Sequence, residues 1–200
     1  MQILGSIAVL IVSITLHEYA HGWAAYKLGD PTPKDSGRLT FNPLSHIDPF
    51  GTVILPLMLL MIPGLFPIGY AKPVPINPYH FKNPRRDIMK VGFAGPAANF
   101  ALVLFFWFIV KTVPVWFIVH IAVSGMVINL LLGMFNLIPI PPLDGSRVAS
   151  AFMSHRVAYN YLRLETAGVF LILFLFATGA FRGFVNFIYS AVLFLIGWKL

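Results

Sequence analysis

Read by polar and apolar positions, the chain is a series of long apolar runs separated by polar, proline-rich connections. The runs cover roughly 3–25, 51–66, 92–110, 116–138, 164–181 and 183–198, here H1 to H6. A helix rises about 1.5 Å per residue, so about 20 apolar residues cross the ~30 Å hydrocarbon core of a bilayer. Most of the runs approach or exceed that length, but H2 is short, carries Pro56 and ends at Pro63-Gly64, a helix-breaking pair. The pattern predicts an all-α polytopic membrane protein, a single domain over 1–200 with five to six transmembrane helices and H2 as a re-entrant segment.

The connections carry a second signal. Gly37-Arg-Leu-Thr-Phe41 alternates in the manner of a short strand. Lys72-Pro-Val-Pro-Ile76 must be extended, because each proline fixes its own φ and pushes its predecessor out of the helical region. Lacking those N–H groups, it could serve only as an edge strand. Together they predict a small membrane-associated β element.

Composition sharpens the environment. Hydrophobic residues make up 58% and charged residues 10% of the chain, against roughly a quarter charged in soluble domains, which excludes an ordinary soluble fold. The lipid bilayer is therefore an expected partner. The net charge of +7 fits basic loops retained on the cytoplasmic side better than nucleic-acid binding. With no cysteine, disulfides and thiolate metal sites are excluded, and any transition metal must be held by His and carboxylate groups. Gln2–Leu16 has no basic flank or small-residue cleavage site before His17, so it reads as a retained helix rather than a signal peptide.

The candidate chemistry lies at the end of H1, in His17-Glu-Tyr-Ala-His21. Residues four apart lie on one helix face, so His17 and His21 can direct two imidazoles at one ion about 2.0–2.1 Å from each nitrogen. Glu18 beside them can take a proton from a water that zinc acidifies to a pKa of about 7 and pass it to a leaving amine. This is the HExxH arrangement of zinc peptidases. Ionisable groups in an apolar span also favour an intramembrane site over accident. They could mark the pathway of a zinc transporter or channel as well, but a transporter would have no need of the water-activating Glu18.

A catalytic zinc needs a third protein ligand. Asp30, Asp35, Asp48 and Asp87 lie in polar connections and Glu165 opens H5, where an acid is favoured anyway. Asp144 differs. It follows H4 through Asn136-Leu-Ile-Pro-Ile-Pro-Pro-Leu-Asp-Gly145, and irregular backbone at membrane depth is tolerated only where it is buried or lines a wet cavity. Asp144 is therefore the expected third ligand.

For His21 and Asp144 to meet, an even number of crossings must separate them. With H2 re-entrant, 12 of the 14 Lys and Arg residues fall on one side and only Lys111 and Arg182 on the other; with H2 spanning, the split is 9 to 5. The positive-inside rule thus favours the topology the metal requires, with the site toward the cytoplasm and the N-terminus outside, most simply in the cell (plasma) membrane.

These motifs resemble those of the site-2 protease zinc metalloproteases, peptidase family M50, in a small form. Gly95-Pro-Ala-Ala-Asn99 is similar to that family's Gly-Pro-x-x-Asn element, and Phe66-Pro-Ile-Gly-Tyr-Ala71 to the segment leading into its membrane-embedded β-hairpin. The resemblance implies one zinc ion held by His17, His21 and Asp144, with Glu18 activating water to cut a peptide bond in a transmembrane protein substrate. It also implies that Asn136 contacts substrate at the reacting carbonyl, the alternative being that its amide bridges the broken end of H4. Larger members carry regulatory PDZ or CBS domains, for which these 200 residues have no room.

The remaining polar residues read more simply. Asn99 is expected to hold helices together by amide hydrogen bonds, His46 and Asp48 to bond within their loop, and His80 and His155 to be loop histidines. His120 lies opposite the site. Lys82, Arg85, Arg86 and Lys90 form a juxtamembrane basic cluster suited to anionic headgroups.

Overall fold

The structure is a computed structural model that describes residues 2–61 and 69–197. Pro63-Gly64, the end of H2, the first residues of the 66–71 segment and the last residue of H6 lie outside the described residues.

Asx-Pro pairs start many of the short elements, the Asx side chain accepting from a free N–H while proline occupies a position that needs no donor. Asn42 accepts from Leu44 N–H at 3.1 Å, Asp48 from Gly51 N–H at 2.7 Å and Asn77 from Tyr79 N–H at 3.2 Å. They open the 3-10 turn Pro43–His46, the π-helical turn Pro49–Ile54 and the 3-10 turn Pro78–His80. The helices in chain order are α1 (Gln2–Lys27), α2 (Thr32–Asp35), α3 (Leu55–Leu60), α4 (Pro84–Thr112), α5 (Trp116–Asn136), α6 (Asp144–Ser150), α7 (His155–Leu162), α8 (Glu165–Ala177) and α9 (Ala180–Ile196).

Among the described residues, α1, α4 and α5 are long and apolar enough to cross a membrane, and α7 with α8, bent by 56°, together would make a fourth, broken span. Five to six spans were expected. For H5 the difference arises because an apolar run does not reveal a backbone break. H5 was read through Gly179, but that residue is left-handed at φ 78°, and α8 ends at Ala177 after 13 residues, about 20 Å.

The expected β element is not present as strands among the described residues. Residues 37–41 form turn and bends, with Gly37 left-handed at φ 68°. Arg38 turns inward and its guanidinium donates to the carbonyls of Ser45, Lys72 and Pro73. Residues 69–77 form neither helix nor strand, and their N–H groups go to scattered acceptors rather than a ladder. Tyr70 donates to Gly51 O at 3.0 Å, Lys72 to His46 O at 2.9 Å and Val74 to Glu18 Oε2 at 3.3 Å.

α4 sits at the centre, packed on α5, α1 and α6, and α9 leans on α5 and α4. Val103, Met126, Val192, Leu193 and Ile196 form one apolar core, and Ala25, Phe81 and Val91 another. Lys111 Nζ and Trp107 Nε1 donate to the Ile196 and Leu195 carbonyls at 2.9 and 3.0 Å, satisfying acceptors that the end of α9 leaves free. Buried Asp30 ties the polar layer together, accepting from Thr32 N–H at 3.0 Å, Asn77 N–H at 2.7 Å and His80 Nδ1 at 2.9 Å. Burial pushes its carboxyl upward, but the hydrogen bonds outweigh that and hold it below the usual carboxylate range.

Candidate metal centre

α1 presents His17 and His21 one turn apart, and α6 begins at Asp144, directly after the proline-broken exit of α5. The two elements meet because α4 packs against both, at glycines. A Cβ on Gly92 would lie 3.2 Å from Asp144 O, and one on Gly95 would lie 2.4 Å from His21 Nε2 and 2.6 Å from His17 Nε2. Gly145 is equally constrained, since a Cβ there would lie 2.2 Å from Leu137 O. Tyr161 holds the proline loop from outside, its hydroxyl donating to Pro139 O at 2.6 Å.

The three donor groups converge tightly. His17 Nε2 and His21 Nε2 each lie 3.1 Å from Asp144 Oδ2 and 3.0 Å from one another, and all three residues are buried. Atoms 2.0–2.1 Å from a tetrahedral zinc are separated by about 3.3 Å, so the spacing suits such an ion.

The other ring nitrogens decide the proton positions. His21 Nδ1 faces the carbonyl of Val91 at 2.7 Å and His17 Nδ1 faces Asn99 Oδ1 at 2.6 Å. Each Nδ1 therefore carries the proton and each Nε2 keeps its lone pair. Two bare nitrogens and a carboxylate oxygen converge with no proton between them, an arrangement that calls for a cation. Arg147 Nη1, 4.0 Å from Asp144 Oδ1, lies on the carboxylate's other oxygen.

Glu18 is half-buried beside this cluster and accepts from Val74 N–H of the segment 69–77. Asn136 is not joined to the cluster; its amide N–H donates to Leu132 O of its own helix at 2.9 Å. Asn99 does bond between helices, reaching Asn129 at 2.8 Å, but it also orients a candidate ligand, a role that the reading as packing glue did not include. Gly95 stands in the Gly95–Asn99 element without a role of its own, and the Val91 carbonyl, Asn129 and Ser13 were missed altogether. Asn129 carried a signal, as an amide in an apolar span is costly without a partner.

The remaining candidates lie elsewhere. His46 Nε2 faces Thr40 O at 3.0 Å, His80 pairs with Asp30, and the His120 ring packs on Trp116 at 4.2 Å. In the basic cluster, Arg85 donates to the carbonyls of Ala151 and Met153, and Lys90 pairs with Asp87 at 2.9 Å.

Buried histidines and a carboxylate converging among apolar helices define a candidate metal centre. The sequence matches Peptidase family M50 over residues 5–116 and 111–178. It is 37% identical over 187 residues to the proposed zinc metalloprotease YwhC of Bacillus subtilis, covering 88% of this chain and 82% of that protein. Identity to the proposed zinc metalloprotease Rip2 of Mycolicibacterium smegmatis is 32% over 149 residues, 70% of this chain and 53% of that one. Zinc metalloprotease MJ0392 of Methanocaldococcus jannaschii is 27% identical over 160 residues, 78% of this chain and 35% of its own. No solved structure gives a significant match. The chain belongs to peptidase family M50 and is a zinc metalloprotease of the site-2 protease type.

Proposed function

We propose that this protein cuts peptide bonds in or near the transmembrane segments of membrane-protein substrates, with zinc held by His17, His21 and Asp144 and with Glu18 as general base. The convergence of the two bare Nε2 atoms and Asp144 Oδ2 within 3.0–3.1 Å of one another carries this reading. Zinc bound there supplies a Lewis acid that polarises the scissile carbonyl and acidifies water to a pKa of about 7. Glu18 receives the proton from the attacking water and delivers it to the leaving amine. Asn99 and the Val91 carbonyl keep both imidazoles in the ligating tautomer. Asn136, at the end of α5, contacts the substrate carbonyl when substrate is bound.

A helix hides its peptide groups, so the substrate must unwind before attack. The segment 69–77 receives the unwound strand, since its Val74 touches Glu18. Pro73 and Pro75 have no N–H, those of Tyr70, Lys72 and Val74 are spent, and Arg38 takes the Lys72 and Pro73 carbonyls, so the substrate pairs at the backbone groups that remain, toward Val74 and Pro75. The return of the chain at Tyr70 onto Gly51 O supports a re-entrant H2. With it, most of the Lys and Arg residues and the site face the cytoplasm, in the plasma membrane.

The test uses protein purified in detergent, with bound zinc measured and cleavage of transmembrane peptides compared between wild type and Glu18→Gln. The expected result is equal zinc and a loss of cleavage of about 10²–10⁴-fold. Equal cleavage by both proteins refutes the assignment.

A further inference from the structure

A chain of buried amides runs from His17 away from the metal centre into α5. His17 Nδ1 meets Asn99 Oδ1 at 2.6 Å, Asn99 Nδ2 donates to Asn129 Oδ1 at 2.8 Å, and Asn129 Nδ2 donates to Ser13 Oγ and to Gly125 O, both at 2.9 Å. Asn99 and Asn129 are 0% exposed and Ser13 is 1% exposed. The burial leaves no solvent to replace any link.

The polarity of this chain follows from its far end. Gly125 O is a backbone carbonyl and can only accept, so the Asn129 atom facing it must be the amide nitrogen. Its oxygen then faces Asn99, which must answer with its own nitrogen. That turn of the Asn99 amide leaves Oδ1 toward His17, and Oδ1 can only accept, so His17 Nδ1 holds the proton. The lone pair is thereby left on Nε2, the atom 3.1 Å from Asp144 Oδ2. With the Asn99 amide reversed, an N–H group would face Nδ1 and the ring proton would move to Nε2, blocking ligation. His21 needs no such chain, because the Val91 carbonyl faces its Nδ1 directly.

We infer that Asn129, braced by Gly125 O and Ser13, is a positioning residue for the metal site, fixing through Asn99 the His17 tautomer that binds zinc. The inference rests on the proposed ligand set and extends it to two residues that do not touch the cluster.

The test is metal affinity, read on protein stripped by chelator and titrated with Zn²⁺ against a chromophoric competitor, and with Co²⁺ by its visible absorption. Asn129→Leu keeps the size but frees the Asn99 amide, and zinc affinity is expected to fall about tenfold, the lower end of the loss typical when a ligand's hydrogen-bond partner is removed. Asn129→Asp, protonated in this apolar setting, still accepts from Asn99 and donates to Gly125 O. It is expected to stay within about threefold of wild type and to keep its Co²⁺ spectrum. Wild-type affinity in Asn129→Leu overturns the inference, as does an equal loss in both variants, which would mean that packing matters and the amide does not. If Asn129→Leu does not fold, Asn129→Ala decides: a loss of about tenfold supports the positioning role, and unchanged affinity overturns it. Wild-type protein that binds no metal would instead defeat the proposed ligand set.

Discussion

Gly95→Ala separates the metal site from the fold. The added methyl would stand 2.4 Å from His21 Nε2 and 2.6 Å from His17 Nε2, against an optimal non-bonded separation of about 3.5 Å, so the imidazoles must retreat by about 1 Å. The methyl would also lie 2.6 Å from His17 Cε1, so it presses on the edge of that ring beside the donor atom and turns both imidazoles away from Asp144. A displacement of this size is worth about 100-fold or more, and the expected loss in zinc affinity of about 100-fold corresponds to about 2.8 kcal/mol.

The apo fold should feel much less. Alanine within α4 gains about 1 kcal/mol of helix propensity, while swinging the rings out forfeits the bonds to Asn99 and Val91, about 1 kcal/mol each. The net change in stability of the stripped protein is therefore about 1 kcal/mol. The assay is a paired one: zinc titration of stripped protein in detergent, and thermal unfolding of the same samples with and without metal. A Gly95→Ala protein that binds zinc with wild-type affinity and cleaves normally would refute the placement of the ion between these three donors.

Two further outcomes are expected. Asp30→Asn should cost about 1–3 kcal/mol at pH 7, because its NH2 group replaces one oxygen and leaves a buried donor without an acceptor. Because the folded pKa of Asp30 is depressed, its contribution is present above its unfolded pKa of about 3.9 and is lost as pH falls through the lower folded value, so the gap from wild type in thermal unfolding should narrow below about pH 4. Val74→Pro removes the N–H that Glu18 accepts and should lower cleavage about tenfold while leaving zinc content unchanged, since the hydrogen bond orients the base and touches no ligand.

Much of the site was legible from local rules. The spacing of His17 and His21 puts two imidazoles on one helix face whatever the rest of the chain does, and the prolines before Asp144 announce a broken helix exit whose carboxylate lies at an unusual place. Proline also excludes a helix over 72–76, and the structure has none there. The count of spans was less legible, because composition is additive along a run whereas a single left-handed residue such as Gly179 divides it.

What the sequence determined by itself was the environment, the helical character and the HExxH pair, all of which depend on neighbours within a few residues. Only the tertiary structure decided that Arg38, rather than a partner strand, takes the carbonyls of Lys72 and Pro73, and that Gly95 makes room for both imidazoles. It also decided that the proton on His17 is set from Gly125 through two amides. These facts join residues on different elements, up to 116 positions apart for Ser13 and Asn129. Hydrogen-bond polarity and close approach depend on distances that no local periodicity encodes.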